Sequence, residues 1–402
     1  MHAILGQPKA LSVLRSQLAT GRVHHAQLFH GPAGVGKFTT ALALAKTLLC
    51  HDPQTDNENT PLACGDCESC RLFNAPKPAA ESGPAKKGKG KAARDDDGDD
   101  EDDDAGEASP DGGASAHPMS FSHPDLHIVV KELAAFSDDA NVRKRKLTQI
   151  PVEIVREHLL APAHHSAALG HGKVLIVDEA ELLNAAGQNA ILKTLEEPPP
   201  RTVFILVAAR EDRLLPTIRS RCQRVAFGLL PEAEVEAMLL KKSPLLDAKK
   251  AKWLAIFSQG SPGRADLGLA YGLHEWGESI LPPLRDIAAR KARPEWGSLI
   301  ATRIESFASE WVARHKNASK EAANRQGADL MLSMLSHFAA RRLQESSRAC
   351  DPADLGGGET RCAPWLRAIE AVREAETRLA QNANLALVCD GLSSAVHSAC
   401  GV

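Results

Sequence analysis

The sequence predicts an α/β protein. Its N-terminal part should be a parallel sheet covered by helices on both faces, and its C-terminal part all helix. Three observations carry that reading. Short apolar segments alternate with helix-period segments as far as residue 228, the pattern of strand–crossover–strand units. The first of those strands runs straight into a glycine-rich turn and then a helix. Beyond about Pro231 the strand-like segments stop, and the alanine- and leucine-rich remainder has helical periodicity. At 402 residues there is room for two or three domains and a sizeable core.

Residues 1–22 read as a helical lead-in with the apolar pair Leu11 and Leu14, and "AQLFH", Ala26 to His30, as a short strand. "GPAGVGKFTT" comes directly after it, and "KFTTALALAKTLLC" has the length and period of a helix. Strand, glycine loop and helix in this order form the setting of a phosphate-binding loop. There, backbone N–H groups cradle phosphate and the helix adds its positive end. Gly31, Gly34 and Gly36 supply the turn, and Lys37 is placed to reach terminal phosphates. The apolar strand of "VLIVDEA" ends in Asp178 and Glu179, where the first acid would hold metal and the second orient water. These six residues are the candidate nucleotide site. One position breaks the pattern. A serine or threonine hydroxyl should follow the lysine to hold magnesium, and Phe38 stands there. Thr39 is no substitute, because one helical residue turns its side chain about 100° away. ATP or ADP is therefore expected to bind weakly or not at all.

Four thiols come next. Cys50 closes the loop helix, and Cys64, Cys67 and Cys70 stand in "CGDCESC". Four thiolates suit tetrahedral zinc with no open ligand position, hence a structural rather than a catalytic metal. The bacterial iron–sulfur pattern needs a fourth cysteine followed by proline just after Cys70, and "RLFNAP" supplies none. The other five cysteines, Cys222, Cys350, Cys362, Cys389 and Cys400, are isolated and read as core thiols.

Residues 75–122 depart from the pattern. The segment "GPAKKGKGKAARDDDGDDEDDDAGEASPDGGASA" has no aromatic or branched apolar residue. It cannot offset its own ordering entropy, so a disordered insertion is expected. Residues 81–111 hold twelve acids and five bases. That puts −7 there and leaves +4 for the rest of a chain whose total is −3. Such a run is ordinarily a solvated loop; the alternative is an acidic tether that docks on a basic partner.

Strand and helix then alternate again. "HPDLHIVV" predicts a strand around Leu126 to Val130, "IPVEIVREHLL" a helix, and "GKVLIVDEAELL" a buried strand, Val174 to Val177. "NAAGQNAILKTLEEPPP" is a helix stopped at Pro198–Pro200, and "TVFILVAA" and "QRVAFG" are further strands. Between those two lies "PTIRSRCQR", whose Arg219 and Arg221 are either surface charge or a cation aimed at a neighbouring subunit's nucleotide. Spacing does not choose between them. Near the C-terminus Trp365, Ile369, Val372 and Leu379 share a helical face, expected to be core or a subunit contact. The chain shows no membrane-length apolar run and no signal peptide at its start. A cytoplasmic protein with reduced thiols is expected.

"ILGQ", "GPAGVGK", the four cysteines, "HPD", "VDEAELLNAAGQNAILKTLEEPP", "LLPTIRSRCQ" and "GSPGRA" stand in the order seen in bacterial clamp loaders. The chain resembles that AAA+ family of DNA polymerase III subunits and, within it, the delta-prime branch. The likeness covers most of residues 1–270 outside the insertion and returns more weakly at "NANLALVCDGL". It implies an AAA+ P-loop parallel-sheet module over 1–228, with a zinc module at about 50–74 and the insertion at about 75–122. A helical lid over 229–275 and an all-α collar over 276–402 would complete the chain. It implies gamma/tau motor subunits and delta as partners, with the sliding clamp and primed DNA reached through the complex. It also makes Arg221 the arginine finger given in trans. Three departures set the chain apart from motor subunits: Phe38, Ala208–Ala209 where a polar sensor belongs, and Gly263 where the lid arginine belongs, with Arg264 one step late. Asp178 and Glu179 are intact. An ATP-hydrolysing motor subunit of the same loader, or another AAA+ ATPase, is thus the alternative at this point.

Overall fold

A computed structural model describes residues 6–74, 122–131, 133, 149–315, 319–348 and 357–401. The acidic insertion at 81–111 and Cys350 lie outside the described residues. The chain divides into two compact units. One comprises residues up to Pro32 and Gly36–Gly228; the other comprises Ala33–Val35 and Leu229–Val402.

The first unit opens with helix α1 (Pro8–Ala19), which starts on a proline at its first turn and buries Ala10, Leu14 and Leu18. Leu11, paired with Leu14 on the sequence pattern, is only half-buried, and Leu18 takes its place one turn beyond Leu14. Strand β1 (Ala26–His30) leads through the glycine loop into α2 (Lys37–Leu49). A two-residue hairpin, β2 (Gln54–Thr55) with β3 (Pro61–Leu62), and the short α3 (Glu68–Asn74) carry the cysteines. Strand β4 (Leu126–Val129) is the next element. After it come α4 (Val152–Val155), a π segment (Arg156–Leu160), α5 (Ala161–His164), β5 (Lys173–Val177), α6 (Ala185–Glu196), β6 (Thr202–Ala208), α7 (Pro216–Arg219) and β7 (Gln223–Ala226).

The sheet order is β4-β5-β6-β1-β7, and all four pairings are parallel. Every residue of β5 is buried, as a strand covered on both faces requires. Leu28, Leu175, Val177, Phe204 and Leu206 of the sheet pack with Ile154, Leu159, Ile191, Leu195 and Ile218 in one core. In such a sheet the residues just past the C-terminal strand ends share one edge. Gly31, Asp178 and Ala209 follow these strand ends: β1 and β6 end level, His30 opposite Ala208, and β5 ends two residues earlier, Val177 opposite Leu206.

The second unit is helical, as expected. Helices α8 (Glu232–Lys242), α9 (Ala248–Ser258) and α10 (Pro262–Ala270) enclose Leu230, Val235, Leu239, Leu254 and Ala265. A larger core, with Trp296, Phe307, Met331 and Trp365, is built from α11 (His274–Ala288), α12 (Trp296–Arg314), α13 (Lys320–Arg348), α14 (Gly357–Ala380) and α15 (Leu385–Cys400). Trp365 and Val372 are buried and Ile369 and Leu379 pack against them, so that stripe is core. Cys222, Cys389 and Cys400 are buried thiols. Burial pushes Cys222 and Cys389 up to about 12, out of the reactive range. No described helix is long and apolar enough to cross a membrane.

One buried charge braces the sheet. Lys173, at the start of β5, is 4% exposed. Its ammonium donates to the Pro162 carbonyl at 3.0 Å and to those of Ala163 and His165. These are carbonyls at the C-terminal end of α5, where intrahelical donors run out; of the three, Pro162 O also accepts the His165 N–H at 3.3 Å. Burial lowers the Lys173 pKa and the nearby Asp125 charge opposes the shift. Lys173→Met keeps the apolar stem and removes all three donors. It should lower the thermal midpoint by about 3–8 °C, since orphaned buried acceptors cost about 1–3 kcal/mol. A calorimetric scan of the variant beside the parent checks this.

Candidate functional site

Gly31 leaves β1 at φ 139°, and a Cβ there would lie 2.1 Å from the Phe227 carbonyl oxygen. Only glycine fits. Lys37, the loop lysine, is buried, and it points back into its own loop. Its Nζ donates to Gly31 O at 2.6 Å and to Pro32 O at 2.5 Å. Two of its three donors thereby go to loop carbonyls. Burial lowers its pKa, and the charges of Glu181 and Asp178 oppose the shift. The helix offers no replacement hydroxyl for Phe38. Thr39 is exposed, and the Thr40 hydroxyl donates to Gly36 O at 2.8 Å.

The tip of the loop, Ala33–Val35, belongs to the second unit. Ser261 Oγ donates to Ala33 O at 3.0 Å, and Gly263 N–H donates to Gly34 O at 2.8 Å. A Cβ on Gly34 would sit 2.4 Å from Ser261 Oγ, and one on Gly263 would sit 3.0 Å from the Gly34 Cα. Gly263 is thus packed directly on the loop tip. Arg264 turns into the helical unit instead. Its Nη2 donates to Leu330 O at 3.4 Å and its guanidinium lies 4.9 Å from the centre of the Phe257 ring. Burial brings its pKa down to about 10.

At the end of β5, Asp178 Oδ1 accepts the Glu179 N–H at 3.0 Å. Glu179 has a left-handed backbone, φ 48°, and its carboxylate pairs with Lys131 at 2.8 Å. Glu181 completes the acidic group. It accepts the Ala209 N–H at 2.9 Å. Sequence reasoning missed Glu181, although a third acid two residues beyond Glu179 was the signal.

The four cysteine sulfurs lie within 4.8 Å of one another. Cys50 caps the C-terminus of α2, the β2–β3 hairpin returns the chain to Cys64, and Cys67 and Cys70 sit before and inside the first turn of α3. Cys50 Sγ is 3.5 Å from Cys64 Sγ and 3.8 Å from Cys67 Sγ, and Cys64 Sγ is 4.0 Å from Cys70 Sγ. Four sulfurs at about 2.3 Å from a tetrahedral centre stand about 3.8 Å apart, so the set fits a metal ion such as zinc. The Cys64 and Cys67 N–H groups each point at a sulfur, at 3.3 Å. Burial raises the Cys67 thiol, but backbone hydrogen bonds from Cys70 and His51 outweigh it and hold the thiol at about 6.

"HPD" ties this centre to the sheet. Ser69 Oγ donates to Leu49 O at 2.6 Å and meets His123 Nε2 at 2.9 Å. His123 Nδ1 accepts the Asp125 N–H at 3.1 Å, which leaves the proton on Nε2 for Ser69. Asp125 then accepts the N–H groups of Ala168 and Leu169, at 2.6 and 2.9 Å. His123 and Asp125 were visible in the sequence only as part of a motif; their partners are tens of residues away.

The arginine segment is carried by α6. Asn184 caps that helix, its side chain accepting the Gly187 N–H at 2.7 Å. Gln188 accepts the Leu215 N–H at 2.8 Å and donates to Arg213 O at 3.3 Å, fastening the chain just before α7. Ile218 and Cys222 are buried in the same core as Ile191 and Leu195. Arg221, between them, stays 35% exposed and pairs with Glu196. Its Nη1 donates to Thr217 O at 2.9 Å. Arg219 is half-buried on the same segment. The structure therefore brings the loop, Asp178 and Glu179 to one sheet edge and the four cysteines to one centre, and gives Arg221 a support of its own.

A five-stranded parallel sheet with a glycine loop after β1 and paired acids after β5 defines a P-loop type of domain, with Phe38 where a metal-holding hydroxyl would stand. The chain belongs to the family described as DNA polymerase III, delta subunit, which matches residues 6–79 and 100–230. It is 28% identical to "DNA polymerase III subunit delta'" of Pseudomonas aeruginosa over 74% of this chain and 74% of that protein. It is 29% identical to the protein of the same name in Escherichia coli over 81% of this chain and 80% of that one. A "DNA polymerase III subunit gamma/tau" of Mycobacterium bovis is 30% identical over 59% of this chain, which spans 30% of the length of that relative. A solved gamma subunit-related protein from Thermotoga maritima aligns over 69% of this chain and 84% of its own, with 19% identity and a TM-score of 0.32; at that level the likeness carries no argument.

Asp178 gives the loop a pH signature. Burial raises its pKa to about 6, with the Glu179 charge adding and the Glu179 N–H and Lys37 opposing. In the unfolded chain the same group titrates near 4. Its contribution to stability is therefore full below about pH 4 and is lost as pH rises toward 6. Asp178→Asn should raise the thermal midpoint at pH 7 in metal-free buffer and have no such effect at pH 3.5. Parallel melts of the two proteins across that range measure it.

Proposed function

We propose that this chain is the delta-prime-type subunit of a bacterial clamp loader. In this reading it is a member of the ring that helps place the sliding clamp on primed DNA without itself firing. Its partners are gamma/tau motor subunits and delta, and the clamp and DNA are engaged through the assembly. The reading divides the chain into an AAA+ module over 1–228, a lid over 229–275 and a collar over 276–402. One observation carries it. The loop lysine is spent on its own loop, Nζ to Gly31 O and Pro32 O, beside a phenylalanine that cannot hold magnesium, while Arg221 stands part-exposed on a braced segment.

In such a ring the chemistry takes place on a neighbour's ATP. Water attacks the γ-phosphorus, the bond to the β,γ-bridging oxygen breaks, and ADP leaves with the electron pair. Arg221 exchanges no proton. Its guanidinium is always charged and presents a planar fork of N–H donors to the oxygens on which charge builds. The four thiolates would hold zinc as a structural crosslink between the end of α2 and α3. Ser69 and His123 would carry that rigidity to the start of β4.

Elemental analysis of purified protein should find one zinc per chain, and Cys67→Ala should abolish that stoichiometry and lower the thermal midpoint. Iron in place of zinc, or no metal in protein purified without chelator, would remove the assignment.

Arg221→Ala should leave the subunit folded and assembled while ATP hydrolysis and clamp loading by the complete loader fall severalfold. Arg221→Lys should recover only part of the rate, because an ammonium lacks the fork. Arg219→Ala should matter less. A reconstituted loader carrying Arg221→Ala that loads clamps at the parental rate takes this role from the residue.

A further inference from the structure

We infer that Glu196 is a positioning residue for Arg221: together with the Thr217 carbonyl it holds the guanidinium in one arrangement before a neighbouring phosphate arrives. The inference rests on the reading of Arg221 as a residue that acts on a neighbour's nucleotide. It adds a role for the acidic end of α6, which that reading leaves unexplained.

A guanidinium has five N–H donors. Nη1 gives one to Thr217 O at 2.9 Å, and Nη2 gives one to the Glu196 carboxylate. Three remain for an outside acceptor. The two acceptors sit on different elements, Thr217 in α7 and Glu196 as the last residue of α6. Those elements are locked together. Ile191, Leu195, Ile218 and Cys222 share a core, and Gln188 bonds on both sides of Leu214. Pro198–Pro200 come almost at once and prevent the helix from running on. The carboxylate is thus delivered by a rigid helix end to one side of a long side chain that would otherwise sample many rotamers. Restricting such a side chain beforehand removes an ordering cost at the moment of reaction.

Exposure sets the size of the effect. The Arg221 and Glu196 side chains are 35% and 47% exposed. A pair this open biases a side chain but does not lock it, so Arg221 can swing to phosphate without a large penalty. The expected loss is correspondingly small next to that from deleting Arg221 itself.

The test uses the complete reconstituted loader. Parent, Glu196→Ala, Glu196→Gln, Arg221→Ala and the Glu196→Ala/Arg221→Ala double variant are first matched for thermal midpoint and for co-elution with partners. Glu196→Ala should lower kcat for ATP about three- to fivefold with KM unchanged. Glu196→Gln, which keeps an acceptor oxygen, should retain most of the rate. In the Arg221→Ala background Glu196→Ala should change nothing further. A normal rate with Glu196→Ala, while Arg221→Ala is slow, overturns the positioning role and leaves the reading of Arg221 standing. A Glu196→Ala loss that persists in the Arg221→Ala background overturns it as well, since the loss then comes from α6 itself. A normal rate with Arg221→Ala removes the reading and the inference together.

Discussion

Strand β1 is the member on which the rest of the first unit depends. It is flanked on both sides, by β6 and β7, in parallel register, with His30 opposite Ala208 and Ala226. Because the three strands end at the same level, the segments that leave them have to share one edge. The Phe227 N–H bonds His30 O at 2.8 Å, which draws the chain after β7 across the start of the glycine loop and puts the Phe227 carbonyl where any side chain on Gly31 would go. The loop's geometry is in this sense a consequence of sheet pairing, present before any ligand is considered.

Most polar groups named around that edge take partners from within the fold, although Glu181 Oε2 is buried without one. Lys37 takes loop carbonyls, Glu181 takes the Ala209 N–H, and Glu179 takes Lys131. An unpaired buried donor or acceptor costs about 1–3 kcal/mol, so a ligand that displaced these bonds would have to replace them one for one. The arginine segment is arranged the other way. Its apolar residues are buried, its backbone is fastened through Gln188, and Arg221 is left partly open in a pair that yields easily. The loop edge is thus mostly bonded internally, while the arginine segment leaves Arg221 partly open.

Much of this could be read from the sequence, and the remainder was hidden for a common reason. The five strands and the helix after the loop were legible because sheet-covered strands are short apolar runs, and helices repeat every three to four residues. The cysteine centre was legible because two-residue spacings within "CGDCESC" bring thiols onto one turn. The lead-in helix shows the limit of local pattern. Leu11 and Leu14 satisfy the periodicity, yet Leu14 and Leu18 face the core, since the packing partner decides which of two overlapping stripes is used. Glu196 with Arg221, Ser69 with His123, and Asp125 with Ala168 join residues 25 to 54 positions apart. No local spacing encodes such pairs; they arise from which elements the sheet sets side by side.

The glycine loop illustrates how far a motif can be trusted. Its glycines and lysine match the phosphate-binding pattern, and the temptation is to take their presence as a sign of nucleotide. Each has another physical reason to be there. Gly31 is required by the Phe227 carbonyl 2.1 Å from a virtual Cβ, and Gly34 by Ser261 Oγ at 2.4 Å. Lys37 supplies two hydrogen bonds to loop carbonyls that would otherwise lack these donors. Position 38 is different. Its hydroxyl would serve only a metal ion, nothing in the fold requires it, and a half-buried phenylalanine stands there. Gly31, Gly34 and Lys37 thus each have a structural reason to be present, while Phe38 stands where no contact of the fold calls for a hydroxyl.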